Sequence, residues 1–95
     1  MLEIPRLVLA KWAATKPTIK ALYVFGSYAR GGARPDSDLD LAFAFVDVDD
    51  SLSEMIMNAA AWKAELCNLT GLVVKDVYLS TDKAAQGAKV QVFSR

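Results

Sequence analysis

The eight residues DLDLAFAF, positions 38 to 45, constrain this chain more than any other stretch. Side chains along a β-strand alternate between two faces. Asp38, Asp40, Ala42 and Ala44 therefore share one side, and Leu39, Leu41, Phe43 and Phe45 share the other, which must be the core side. Upstream, IKALYVF at 19–25 is a nearly continuous apolar run rich in strand formers, as expected of a strand covered on both faces. GSYARGGARPDS, residues 26–37, joins the two and has the composition of a loop, with Ser27 to Arg30 able to form one helical turn.

The rest of the chain supplies partners for these strands. Residues 5–16 read as a helix, with Pro5 suited to its start and Pro17 closing it. Ser51 and Glu54 have the spacing of a capping box, and Leu52, Met55, Ala59, Trp62, Leu66 and Leu69 follow at helical intervals up to a stop at Gly71. Asp47, Asp49 and Asp50 sit where a strand gives way to that helix, whose N-terminus favours negative charge. LVVKDVYLS at 72–80 reads as a third strand and KVQVF at 89–93 as a fourth. The expected fold class is α/β in the broad (α+β) sense: a small mixed β-sheet with helices packed on one face, in a single domain over residues 1–95. Trp12, Trp62 and Cys67 are expected in the core or an interface, and Tyr28 on an exposed loop.

Composition excludes several kinds of function. Eleven basic and eleven acidic side chains cancel, which argues against a broad nucleic-acid surface. The absence of histidine removes imidazole bases, His-based triads and His metal ligands together. No apolar run approaches the roughly 20 residues that cross a bilayer. One cysteine and no secretory pattern point to a reducing cytoplasm. Hydrophobic residues make up 54% of the chain, more than so small a domain hides, so an oligomer or partner interface is expected.

Chemistry then falls to carboxylates, hydroxyls, lysine and arginine. Asp38 and Asp40 project to one side about 6.7 Å apart along a strand, a spacing from which carboxylates can converge on two divalent cations; a solvated edge-strand face carries the same pattern. Asp76 lies among Val73, Val74, Val77 and Leu79, where a carboxylate is costly unless paired, metal-bound or turned to water at an edge. If its strand runs beside 38–45, Asp76 joins the same cluster, and a cation relieves the repulsion. Gly26 and Ser27 open a turn whose N–H groups and hydroxyl suit an anion, with Arg30 and Arg34 nearby, although an ordinary Gly-Ser turn has the same residues.

Taken together, these residues resemble a known family. A Gly-Ser, a spacer of ten residues containing Ala-Arg-Gly, and a Ser before Asp-x-Asp form the signature of the minimal nucleotidyltransferases, relatives of DNA polymerase beta. Gly26, Ser27, Ala29, Arg30, Gly31, Ser37, Asp38, Asp40 and Leu41 match it. The resemblance implies a polymerase beta palm-like fold. It also implies that Asp38, Asp40 and Asp76 hold two Mg²⁺ ions, and that Gly26, Ser27, Arg30 and Ser37 bind ATP as the nucleotide substrate. Small members of this family typically pair with a HEPN-type toxin and attach AMP to one of its tyrosines. A protein adenylyltransferase antitoxin is thus the leading expectation. A non-catalytic binding antitoxin and the catalytic subunit of a two-chain small-molecule transferase are the alternatives.

Overall fold

The apolar run at 19–25 forms strand β1 (Ile19–Phe25), and the alternating stretch forms β2 (Leu39–Phe45). They pair antiparallel, from Ile19 opposite Phe45 to Phe25 opposite Asp40. In this computed structural model residues 4–34, 37–82, 85 and 87–95 are described, without the side chain of Asp76. Helix α1 (Arg6–Ala14) precedes the sheet, and helix α2 (Ser51–Thr70) links β2 to strand β3 (Val74–Leu79). Strand β4 (Lys89–Ser94) closes the described chain.

β3 runs parallel to β2, a pairing that requires a long crossover, and the 20 residues of α2 supply it. β4 returns antiparallel along the other side of β1, giving the strand order β3-β2-β1-β4. β1 and β2 are thus the two inner strands, which is why five of the seven residues in each are buried.

Both helices cover one face. Leu39, Leu41, Phe43 and Phe45 point into a core shared with Leu9, Trp12, Met55, Trp62 and Leu66. Trp62 is the hub of that core, with ring centroids 5.6 Å from both Trp12 and Phe43 and 6.0 Å from Phe45. Glu65 clasps the helices together. One of its oxygens accepts from Lys16 Nζ at 2.8 Å and from the Trp12 indole at 3.1 Å. The lysine, then the indole, hold the Glu65 carboxyl below its ordinary value. On the opposite face a smaller cluster joins Phe25, Ala42 and Ala85 with Tyr23 and Tyr78.

Two details of α2 differ from the sequence reading. Leu52 and Leu69, expected on the buried stripe, are 63% and 55% exposed. A stripe at strict heptad spacing drifts about 20° per heptad around a straight helix, so its two ends turn away while Met55, Trp62 and Leu66 stay buried. The capping box does not form either. The N-cap is Asp50, not Ser51, so Glu54 is one position too far along to reach back. Ser51 instead donates its hydroxyl to the Asp47 carbonyl. Gly71 ends the helix in the left-handed conformation, as its identity suggests. Among the described residues, no helix is long and apolar enough to cross a membrane.

Candidate active site

The pairing of β1 with β2 sets the geometry. Phe25 lies opposite Asp40, so Gly26, the next residue, emerges beside the Asp40 carboxylate. Gly26 has φ +73°, and a β-carbon there would overlap Asp40 Oδ2 and stand 3.3 Å from its Cγ. Any other residue here would be strained in its backbone and would have to displace the carboxylate packed against it. Beyond Gly26 the chain winds through a tight turn. Arg30 N donates to the Gly26 carbonyl (3.1 Å) and Gly32 N to that of Ser27 (2.9 Å). Among the described residues, the amides of Ser27, Tyr28 and Ala29 donate to no backbone carbonyl. They are free for a ligand in the way that the first N–H groups of a helix are.

Asp38 is half-buried and directly precedes β2; Asp40 is its second residue. On the neighbouring strand Leu39 pairs with Val74 and Leu41 with Val77, with a register irregularity between them. Position 76 therefore lies level with Asp40, one strand away. The Asp76 side chain is outside the described residues, and among those that are described no group of three or more potential ligands gathers around one point. The expected strand neighbourhood is present, since residue 76 stands beside 38–40 rather than elsewhere in the sheet.

The remaining sequence candidates fall around this end of the sheet. Arg30 and Arg34 are exposed and make no ion pair among the described residues. Ser37 Oγ accepts from Arg34 N at 2.9 Å, while Ser37 N donates to the Arg34 carbonyl, so this serine closes the loop before Asp38. Tyr28 corrects an expectation. It is not an exposed loop tyrosine but is 4% exposed and packed in the main core, because the turn after Gly26 folds its ring inward. Its hydroxyl has no hydrogen-bond partner among the described residues. Lys89 went unnoticed in the sequence. It pairs with Phe25 across β4, in the same row as Asp40, with its ammonium 5.5 Å from the Tyr23 ring centre. Only the pairing of β4 with β1 reveals it.

The profile described as "Polymerase beta, Nucleotidyltransferase" matches residues 8–90, which span both acidic strands and the Gly-Ser turn. The chain belongs to this nucleotidyltransferase family. No curated protein matches. Among solved structures, one of a toxin–antitoxin with AMP-PNP superposes with a TM-score of 0.72 over 97% of this chain and 75% of that chain, at 20% identity. At that identity it speaks to the fold alone. A candidate nucleotidyltransferase from Sulfolobus solfataricus superposes with a TM-score of 0.55 over 95% of this chain and 77% of that one, at 26% identity.

Proposed function

We propose that the chain is a Mg²⁺-dependent nucleotidyltransferase that transfers AMP from ATP to a tyrosine of a HEPN-type toxin, and so acts as the antitoxin of a toxin–antitoxin pair. The observation that carries the transferase part is the packing of Asp40 against Gly26, with Asp38 beside it and position 76 level on the next strand. Asp38, Asp40 and Asp76 would hold the metal, a donor set of oxygens only, which is what Mg²⁺ takes. When bound, Mg²⁺ supplies positive charge against the triphosphate. Gly26 and Ser27 offer amides and a hydroxyl to phosphate oxygens, and Arg30 adds mobile positive charge. Ser37 shapes the loop that delivers Asp38 and stands near enough in sequence to meet the nucleotide. Residues 1–95 are read as one minimal nucleotidyltransferase domain, the acceptor is placed on the partner toxin, and a cytoplasmic setting suits the free Cys67.

The chain shares its fold with a solved toxin–antitoxin with AMP-PNP, and the proposal carries an adenine nucleotide and a toxin partner over from that protein. A second reading, an antitoxin that acts by binding alone, is favoured by the exposed apolar side chains of α2 and its approach. Intact-mass measurement of a co-purified toxin partner, with ATP and Mg²⁺ added, separates the two. AMP addition that disappears in Asp38→Asn and Asp40→Asn establishes transfer. An unmodified partner held in a tight complex would leave only the binding role.

A further inference from the structure

Charge in this chain is balanced in total but not along its length. Between Arg34 and Lys63 there is no basic residue, and residues 35–62 hold seven of the eleven carboxylates. Asp38 and Asp40 belong to the site end of β2, and Asp36 lies outside the described residues. The other four, Asp47, Asp49, Asp50 and Glu54, lie at its far end and in the first turn of α2. The two groups are separated by about 20 Å of strand, at roughly 3.3 Å per residue.

The same far end carries an unusual share of uncovered apolar surface. Val46, Val48, Leu52, Ile56 and Met57 are each more than half exposed, and they are five of the nine large hydrophobics exposed among the described residues. Two recesses flank them. One, of about 230 Å³, has Phe43, Phe45 and Leu79 in its lining, with Val48 and Leu52. The other, of about 280 Å³, is lined by Val46 together with Asp47, Asp50 and Glu54. The turn between them is held by its own hydrogen bonds: Asp49 N donates to Asp47 Oδ1 (3.1 Å), and Ser51 N to the Val48 carbonyl (3.3 Å). None of the four carboxylates is in an ion pair among the described residues.

We propose that residues 46–57 form a docking surface for a partner protein segment that presents lysine or arginine beside apolar side chains. Charge decides the occupant. In an isologous dimer the same patch meets itself, which here would press four carboxylates against four and desolvate them together. A basic amphipathic segment instead covers the apolar side chains, fills the recesses and neutralises the acidic rim. Its distance from Gly26 and Asp40 lets a partner be held while the site end stays open. The inference rests on the partner reading of the proposed function, and not on nucleotide transfer.

The test uses the ¹⁵N-labelled full chain and an amphipathic helical peptide of leucine and lysine, with its leucine–glutamate counterpart as control. The lysine peptide is expected to shift amide resonances of residues 46–57, and the glutamate peptide to leave them unmoved. Asp47→Lys with Asp50→Lys should weaken binding at least tenfold, as should Leu52→Ser with Met57→Ser, in chains whose circular dichroism is unchanged. Shifts centred on residues 38–40, or equal binding by all variants, would overturn the proposal. So would sedimentation showing a dimer that these substitutions dissociate. Asp38→Asn lies outside this surface and should abolish transfer while leaving peptide binding unchanged, so a parent chain that binds the peptide but transfers no AMP counts against the enzyme reading only.

Discussion

Gly26→Ala tests the geometry on which the candidate site depends. Two costs are built into it. A non-glycine residue in the left-handed region costs about 1–2 kcal/mol, and Gly26 has φ +73°. The new methyl also falls on the end of the Asp40 side chain, which must leave its rotamer at about 0.5–1.5 kcal/mol. The sum is about 1.5–3.5 kcal/mol. Gly71→Ala provides the reference, since Gly71 has φ +71° with nothing within 4 Å of the added carbon, and so isolates the backbone part. Urea unfolding followed by the fluorescence of Trp12 and Trp62 reads both, provided the slope is unchanged. Gly26→Ala should cost about 1 kcal/mol more than Gly71→Ala, and that excess should vanish when Asp40→Ala removes the carboxylate. Equal costs at the two glycines, or an excess that survives Asp40→Ala, would refute the packing of Asp40 against Gly26. If Asp40 also serves nucleotide transfer, activity in Gly26→Ala should fall further than the loss of folded protein explains.

Three other outcomes follow from features of the fold. Tyr28→Phe removes a buried hydroxyl that has no partner among the described residues and is expected to raise stability by about 1 kcal/mol; a loss of stability in the same urea assay would mean that the hydroxyl is bonded after all. Trp62→Ala deletes the ring that touches Trp12, Phe43 and Phe45, at a cost of about 3–5 kcal/mol, and a thermal midpoint near that of the parent would contradict its central place. The depressed carboxyl of Glu65 binds its proton less readily when folded, so it stabilises above its unfolded pKa of about 4.5 and that stability is lost as pH falls through the lower folded value. Glu65→Gln should therefore flatten the acid side of the stability–pH curve below about pH 4.5, while costing no more than about 1 kcal/mol at neutral pH, because the pair is partly exposed. An unchanged acid limb would remove Glu65 from that role.

Much of the framework could be read from residue order. The alternation at 38–45 gave β2 and both of its faces, because one face must bury Leu39, Leu41, Phe43 and Phe45 whatever the partner. Gly71 marked the end of α2 because its left-handed backbone excludes most other residues. The Gly-Ser turn and the two aspartates stood out because their spacing is narrow and their types are unusual in an apolar setting. What stayed hidden depends on contacts distant in sequence. Tyr28 looks like a polar loop residue until the turn after Gly26 folds it under the sheet. Lys89 enters the row of Asp40 only through the pairing of β4 with β1. The exposure of Leu52 and Leu69 follows from helix drift and from where the sheet ends, neither of which a spacing rule contains.

The strand order also has a consequence for how the chain is made. β1 occupies an inner position, yet its two neighbours are synthesised at very different times. β2 follows within some fifteen residues, whereas Lys89, the partner of Phe25, comes 64 residues later (89 − 25). Throughout that interval one edge of an apolar strand is unpaired, a template for the wrong neighbour. Such distant pairing also slows folding. A chain stalled or cut before Lys89 would carry both helices and the Gly-Ser turn, but with that edge open. β4 is therefore the strand that covers the second edge of β1, and a chain cut before it should aggregate more readily during translation.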